Sequence, residues 1–240
     1  RVEDSIFTTL SFKMAYNRFK NMFKEIPIAF NSDDLTLEGV ITESSAGSAP
    51  GILICSPEPH LGGSMNSVIC KRVINACAAE GFVTLRFNYR GVGSSEGQST
   101  LGQGEIVDSQ SALEVLRDWP SVDEKKIIVL GYSYGAGISV RLAISNPHLK
   151  AIIPISPHLN IPPLGLSLVK ELNDVSLPIS IISGQNDLSS PPNELNSWID
   201  SLQNDYFKST ILPDGDHSWR DAEDKLCETV VEQMWEYLKD

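Results

Sequence analysis

The sequence contains little cysteine, histidine or positive charge, and it has no long apolar run. Only four cysteines and four histidines occur among its 240 residues. No Cys-x-x-Cys pair or His/Cys cluster with metal-ligand spacing is present, so we expect no metal site and no cofactor. The cysteines, at positions 55, 70, 77 and 227, are predicted to be buried free thiols in a reducing compartment.

The charge balance and the hydropathy exclude two further classes of protein. Nineteen Lys and Arg side chains stand against 31 Asp and Glu side chains, which gives a net charge of −12. This excess of negative charge argues against nucleic acid as a partner. No run approaches the ~18 consecutive apolar residues of a transmembrane helix, and no intact signal peptide is visible. We therefore expect a cytoplasmic protein.

Apolar runs of strand length alternate with helical patterns along most of the chain, which predicts one α/β domain. Eight strands are predicted, at 26–30, 35–41, 51–55, 82–87, 126–130, 151–155, 179–183 and 209–212. Such alternation is typical of parallel strands joined by crossover helices, and ligands then bind beyond the carboxyl ends of the strands.

The segment Gly131-Tyr132-Ser133-Tyr134-Gly135 lies between an apolar strand run and a helical pattern. A serine flanked in this way by glycines is typical of a nucleophile elbow, a tight turn that requires small residues two positions on either side of the serine. The N–H groups at the start of the following helix favour developing negative charge. Ser133 is therefore the candidate nucleophile.

A second segment, Gly93-Ser94-Ser95-Glu96-Gly97, has the same Gly-x-Ser-x-Gly pattern. It lies in a run of glycine, serine and glutamine, and no helix is predicted to begin at Ser95. Loop chemistry of this kind predicts a turn and not a catalytic serine.

A serine nucleophile needs a base, and the base needs an orienting acid. Asp187 and His217 each follow a predicted strand, in the chain order typical of a serine hydrolase of this kind, and should lie at the same sheet edge as Ser133. Asp214 and Asp216 are close to His217 in sequence, but a residue so near on the same loop rarely reaches Nδ1 from the correct side. We therefore predict a Ser133–Asp187–His217 triad.

Three histidines remain. His148 follows a predicted helix and is expected to be a solvated turn residue, whereas His60 and His158 lie on loops near the predicted site. The expected pocket walls, taken together, are His60, Leu61, Met65, Tyr132, Tyr134, His158, Leu159, Leu188 and Trp219.

These motifs, with Cys55 to Asn66 after the third strand and Arg86 to Gly97 after the fourth, resemble the α/β-hydrolases. The chain is most similar to small, nearly cap-less members related to dienelactone hydrolases and the prolyl-oligopeptidase catalytic domain. The resemblance covers residues 26–240 and implies an eight-stranded, mostly parallel sheet flanked by helices. It also implies an oxyanion hole formed by the backbone N–H groups of Tyr134 and Glu58. Relatives usually carry histidine where this chain has Ser56 and Glu58.

The predicted organisation has two parts. Residues 26–240 form the hydrolase domain, with only a short cap insertion at about 157–177. Residues 1–25 are predicted to form an amphipathic helical extension, expected to pack on the domain edge or on a partner subunit. Its aromatic face consists of Phe12, Tyr16, Phe19 and Phe23. The sequence leaves open a homodimer and contact of this helix with an anionic membrane surface.

Together these observations predict a serine hydrolase, and within that class a carboxylesterase that acts on small or medium acyl esters. Serine peptidase, thioesterase and acyl-transfer activities use the same machinery and stay open. A binding protein that keeps the fold without turnover is the alternative outside enzymes.

Overall fold

A computed structural model describes residues 24–43 and 47–239. The helix predicted over residues 1–25 lies outside the described residues, apart from its last two positions. Lys24 and Glu25 begin the first strand, so the prediction that they are helical is wrong. Both residues pair with the second strand, which extends the sheet toward the amino end of the chain.

The described residues contain an eight-stranded sheet with the strand order β1-β2-β4-β3-β5-β6-β7-β8. This confirms the predicted α/β fold. The strands are β1 Lys24–Ser32, β2 Leu35–Glu43, β3 Ala49–Cys55, β4 Val83–Phe87, β5 Val122–Tyr132, β6 Ala151–Ile155, β7 Ile179–Gly184 and β8 Phe207–Leu212. Strands β3 to β8 are parallel, while β2 pairs antiparallel with both β1 and β4.

In the part of the chain that the structure describes, five α-helices cover the two faces of the sheet. They are α1 Val68–Ala79, α2 Gln103–Arg117, α3 Tyr134–Ser145, α4 Pro192–Ser201 and α5 Glu223–Leu238. Alternate residues of each central strand enter different cores. Leu53 and Val129 pack in the core that includes α2 and α3, whereas Ile52 and Ile128 pack in the core that includes α1 and α5. Burial on both faces explains why the parallel strands are continuous apolar runs in the sequence.

All four cysteines are free and buried, as predicted. Burial raises the pKa of the Cys55, Cys70 and Cys227 thiols to about 12, so these groups are protonated at neutral pH. Among the described residues, no helix is long and apolar enough to cross a membrane.

The segment between β6 and β7 is short and lies against the domain. In place of a regular helix it contains two 3₁₀ turns, Leu166–Leu168 and Lys170–Asp174. The Oγ atom of Ser167 donates a 2.9 Å hydrogen bond to the carbonyl oxygen of Leu159, which folds the segment back on itself. The carboxyl edge of the sheet therefore stays open on the side of α1.

Candidate active site

The tight turn between β5 and α3 holds Ser133 in a strained conformation. Its φ is 57° and its ψ is −114°, a combination that non-glycine residues rarely adopt. A Cβ atom on Gly131 would overlap the carbonyl oxygen of Gly135, and a Cβ atom on Gly135 would overlap that of Cys55. A hydrogen bond to β6 anchors the backbone of Ser133, because its N–H donates to the carbonyl oxygen of Ile155 at 2.9 Å.

The structure brings the three residues of the predicted triad together. The Oγ atom of Ser133 lies 2.9 Å from Nε2 of His217. On the other side of the imidazole, Nδ1 lies 3.0 and 3.1 Å from the two carboxylate oxygens of Asp187. These distances suit proton transfer from the hydroxyl to an imidazole whose Nδ1–H is held by a carboxylate.

Asp187 is buried, and its carboxylate is stabilised by hydrogen bonds. Burial by itself raises the pKa of this carboxyl, but the hydrogen bond and charge of His217 and the backbone N–H of Ser189 outweigh it, so that the pKa lies below its usual value. The group is therefore ionised at neutral pH and can stabilise an imidazolium.

Two hydrogen bonds fix the loops that carry Asp187 and His217. The hydroxyl of Tyr132 donates a 2.9 Å hydrogen bond to the backbone carbonyl of His217. The indole Nε1 of Trp219 donates a 2.9 Å hydrogen bond to Oγ of Ser156, and the Ser156 hydroxyl helps to lower the pKa of Asp187. The orientation of the imidazole is therefore set by residues on β5, on the loop after β6 and on its own loop.

The two backbone N–H groups predicted to hold an oxyanion are those of Tyr134 and Glu58. Tyr134 is the first residue of α3, and the first N–H groups of a helix have no acceptor within it. The loop after β3 turns sharply at Glu58, whose carbonyl oxygen accepts hydrogen bonds from the N–H groups of Leu61 and Gly63. The N–H of Glu58 itself donates to no residue in the described part of the chain.

Ser133 and His217 open onto a cleft of about 460 Å³. The predicted pocket residues Leu61 and Tyr132 line this cleft. Met65, Leu159 and Trp219 do not line it, because their side chains are buried in the protein. Tyr134 is also buried, beneath the elbow, and His60 and Leu188 are solvent-exposed outside the lining. His158 contacts Ser133 and stacks on His217 instead.

Sequence reasoning missed several residues that form the cleft. Ser67, Val68 and Ile69 contribute from the start of α1, and Ser218, Arg220 and Glu223 contribute from the segment that follows His217. Position along the chain gives no reliable signal for the second group, because Trp219 lies in the same segment and is buried in the core instead.

The remaining candidates of the sequence lie elsewhere or have structural partners. Ser95 is buried, and its Oγ donates a 2.8 Å hydrogen bond to the carbonyl oxygen of Asn88. His148 is exposed at the end of α3. Asp214 is exposed, and the carboxylate of Asp216 accepts hydrogen bonds from Ser218 and from the N–H of Arg220. None of these residues contacts the imidazole of His217 in the described structure.

A protein-family model matches more than half of the chain. The family model of the X-Pro dipeptidyl-peptidases (S15 family) matches residues 14–161, well over half of the sequence. The chain belongs to the S15 family. The matched segment contains Ser133, Tyr134 and Glu58, whereas Asp187 and His217 lie beyond its end.

Two relatives match this S15-family chain over most of its length. A solved structure from Agrobacterium tumefaciens, described as a candidate α/β hydrolase, superimposes with a TM-score of 0.77 at 28% identity, over 90% of this chain and 96% of that one. An uncharacterized protein of Rickettsia prowazekii is 28% identical over 212 residues, which cover 86% of this chain and 87% of the relative. The resemblance to the α/β-hydrolases is thus confirmed.

A cutinase of Thermobifida fusca is 32% identical over 96 residues. The match covers 39% of this chain and 29% of the cutinase, so it concerns a part of each protein. The S15-family chain thus has an α/β-hydrolase fold, a family model named for a peptidase and a partial match to a cutinase.

Proposed function

We propose that the protein is a carboxylesterase that cleaves small or medium acyl esters through an acyl-enzyme on Ser133. The observation that carries this proposal is the 2.9 Å contact between Oγ of Ser133 and Nε2 of His217 at the floor of an open cleft. The reaction needs no cofactor, because the serine, the imidazole and the backbone donors supply the nucleophile, the base and the charge stabilisation.

In the acylation half-reaction, Oγ of Ser133 attacks the ester carbonyl carbon while Nε2 of His217 takes the hydroxyl proton. Asp187 holds the resulting imidazolium at Nδ1. The negative charge on the carbonyl oxygen is held by the N–H groups of Tyr134 and Glu58. The tetrahedral intermediate then collapses, and the imidazolium donates its proton to the departing alcohol oxygen.

In the deacylation half-reaction, a water molecule takes the place of the alcohol. His217 removes a proton from this water as its oxygen attacks the acyl carbon. When the intermediate collapses, the bond between the acyl carbon and Oγ breaks, and Oγ takes the proton from Nε2. The acid product leaves, and Ser133 regains its hydroxyl.

The walls of the cleft favour an apolar acyl group. Leu61 and Val68 are 87% and 65% exposed at its rim, and Ile69 lies deeper. Covering such side chains with an acyl chain removes apolar surface from water, at about 25 cal/mol per Å². Because the segment between β6 and β7 forms only short turns, no cap within the described part of the chain encloses a long acyl group.

A peptidase is the second candidate, and two observations favour it. The family model that matches the chain is named for X-Pro dipeptidyl-peptidases. In addition, the carboxylates of Glu58 and Glu223 line the cleft, and a carboxylate is the natural partner for the amino terminus of a peptide.

The test compares p-nitrophenyl esters of C2 to C12 acids with an X-Pro dipeptide p-nitroanilide, using wild type and Ser133→Ala. We expect ester turnover that is highest for short or medium chains and absent in the variant. Turnover of the anilide without ester turnover would favour the peptidase. If acyl thioesters are also offered and are the only substrates turned over, a thioesterase is favoured. Folded wild type that is inert to all substrates and unlabelled by a fluorophosphonate would support the binding-protein alternative.

A further inference from the structure

A second imidazole contacts the candidate nucleophile from the loop after β6. The Nε2 atom of His158 lies 3.4 Å from Oγ of Ser133. Its ring stacks on that of His217, with centroids 5.2 Å apart and an angle of 25° between the planes. Catalytic hydrogen bonds are often long before substrate binds, so a contact of this length is within the range expected for a working group.

Because the hydroxyl of Ser133 has a single proton, His158 can form a hydrogen bond with it in only one direction. The hydroxyl has one proton, and in the productive arrangement that proton points to Nε2 of His217, because Nδ1–H of His217 faces Asp187. His158 can then bond to Oγ only by donating Nε2–H to an oxygen lone pair. In agreement with this, Nδ1 of His158 is buried and has no hydrogen-bond partner in the described part of the chain, which suits a bare nitrogen better than an N–H group.

We infer that His158 is a further catalytic residue, a neutral imidazole whose Nε2–H donates a hydrogen bond to Oγ of Ser133. The inference rests on the proposed function, since it assigns His158 a part in acyl transfer through the same serine. His158 is not the general base, because no carboxylate holds its Nδ1 and its Nε2 is the farther of the two from Oγ.

The surroundings of His158 keep its ring neutral and in place. Burial, together with the neighbouring His217, lowers the pKa of His158, and the opposing effect of Asp187 is smaller. The peptide group between His158 and Leu159 is fixed at both ends, because the N–H of Leu166 donates a 3.0 Å hydrogen bond to the carbonyl oxygen of His158, and the N–H of Leu159 donates a 3.1 Å hydrogen bond to the carbonyl oxygen of Ser189.

The donor acts where charge develops on Oγ. When the acyl-enzyme breaks down, the bond between the acyl carbon and Oγ breaks and its electron pair moves to Oγ. His217 supplies the proton that completes the hydroxyl, and the Nε2–H of His158 stabilises the oxygen while that transfer is under way. The same bond stabilises Oγ during acylation, as the hydroxyl proton leaves for His217.

Two variants separate hydrogen bonding from packing. In His158→Gln, the side-chain amide places an N–H close to the position of Nε2 but cannot stack as an imidazole does. In His158→Phe, the ring still stacks on His217 but the donor is lost. We expect the rate of fluorophosphonate labelling and of ester deacylation to fall about tenfold in His158→Phe, and to fall less in His158→Gln. Thermal unfolding of each variant controls for folding.

If His158→Phe is labelled and deacylated faster than His158→Gln, or if both variants match the wild type, the role assigned to His158 is wrong. The protonation state is tested separately by long-range ¹H–¹⁵N spectra of the whole chain, in which His158 is assigned from the signal lost in His158→Phe. A neutral ring with the proton on Nε2 supports the inference, and a proton on Nδ1 overturns it. If wild type neither reacts with the fluorophosphonate nor turns over esters, the proposed function fails. The spectra still show in that case whether Nε2 of His158 carries the proton that the hydrogen bond to Oγ requires.

Discussion

The hydroxyl of Tyr132 donates a 2.9 Å hydrogen bond to the backbone carbonyl of His217, so the residue before the proposed nucleophile holds the loop of the proposed base. The two residues are 85 positions apart in the sequence. The bond connects the end of β5 to the loop after β8, which are not neighbouring strands in the sheet. It therefore fixes a distance that the sheet alone does not determine.

Tyr132→Phe tests this connection. We expect the ring to stay packed while the loop of His217 gains freedom, because a typical hydrogen bond of this kind contributes about 1 kcal/mol. The fluorophosphonate labelling rate of Ser133 should fall about fivefold, and the free energy of unfolding in urea by about 1 kcal/mol. An unchanged labelling rate would show that other contacts already position the imidazole.

Asp187→Asn tests the orienting carboxylate in two ways. The variant should lose about 10⁴-fold in kcat, as Ser-His-Asp hydrolases do when the tautomer of the histidine is wrong. Because the pKa of Asp187 is lower in the folded state than in the unfolded chain, its ionised form stabilises the fold above the unfolded pKa. This contribution is lost as the pH falls through the lowered folded-state pKa.

Urea unfolding between about pH 6 and pH 2 measures the second effect. The free energy of unfolding of the wild type should fall more steeply toward acid than that of Asp187→Asn, since only the wild type has this group to protonate. Parallel pH dependences would contradict the lowered pKa.

Gly135→Ala tests the steric requirement of the elbow. The added Cβ atom would overlap the carbonyl oxygen of Cys55, so the start of α3 must move away from β3. We expect loss of most labelling of Ser133 and a decrease in the free energy of unfolding of about 1 to 3 kcal/mol.

Gly47→Ala is the matched control for the elbow variant. Gly47 has a φ of +82°, and an added Cβ atom there would have no neighbour within 4 Å among the described residues. Only the left-handed backbone conformation opposes this substitution, and it should lower the free energy of unfolding by about 1 to 2 kcal/mol. Labelling of Ser133 should be preserved. Equal loss of labelling in both variants would mean that the close packing of the elbow is not the cause.

Arg90→Ala tests the ion pair that fixes the loop after β4. The guanidinium of Arg90 lies 2.8 Å from the carboxylate of Asp108, whose side chain is fully buried. Removal of Arg90 leaves that carboxylate without its charged partner, and we expect the free energy of unfolding to decrease by about 3 to 5 kcal/mol.

Arg72→Ala provides the comparison for the buried pair. Arg72 and Asp224 form an ion pair of similar length, 2.9 Å, but their side chains are 42% and 51% exposed. Water and salt screen such a pair, so the free energy of unfolding should change by no more than about 1 kcal/mol. If the two variants lose the same stability in urea, burial is not what distinguishes the two pairs.

The sheet could be predicted from the sequence because its central strands are buried on both sides. A continuous apolar run followed by a glycine-flanked serine has few alternatives, and this context also separated Ser133 from Ser95, whose hydroxyl bonds the backbone in a loop. The strand ends were less predictable. Strand β5 begins at Val122, four residues before the predicted start, because the polar residues that precede the apolar run also adopt extended backbone.

The walls of the cleft were not predictable from sequence position alone. Trp219 comes two residues after His217, yet its ring points into the core and its Nε1 bonds Ser156. The side of the loop on which each side chain lies depends on backbone angles such as the positive φ of Trp219 and Ser156. Such angles result from tertiary packing, which no local pattern records.

The order of the site residues along the chain affects how the protein is made. Ser133 precedes its hydrogen-bond partner His217 by 84 residues. At a translation rate of 5–20 residues per second, the ribosome needs about 4 to 17 s to add that length. During this interval the nascent chain has Ser133 but lacks His217, the base of the proposed mechanism. In the proposed mechanism, β8 and the loop after it must be synthesised before Ser133 can react, and by then most of the sheet is available to fold.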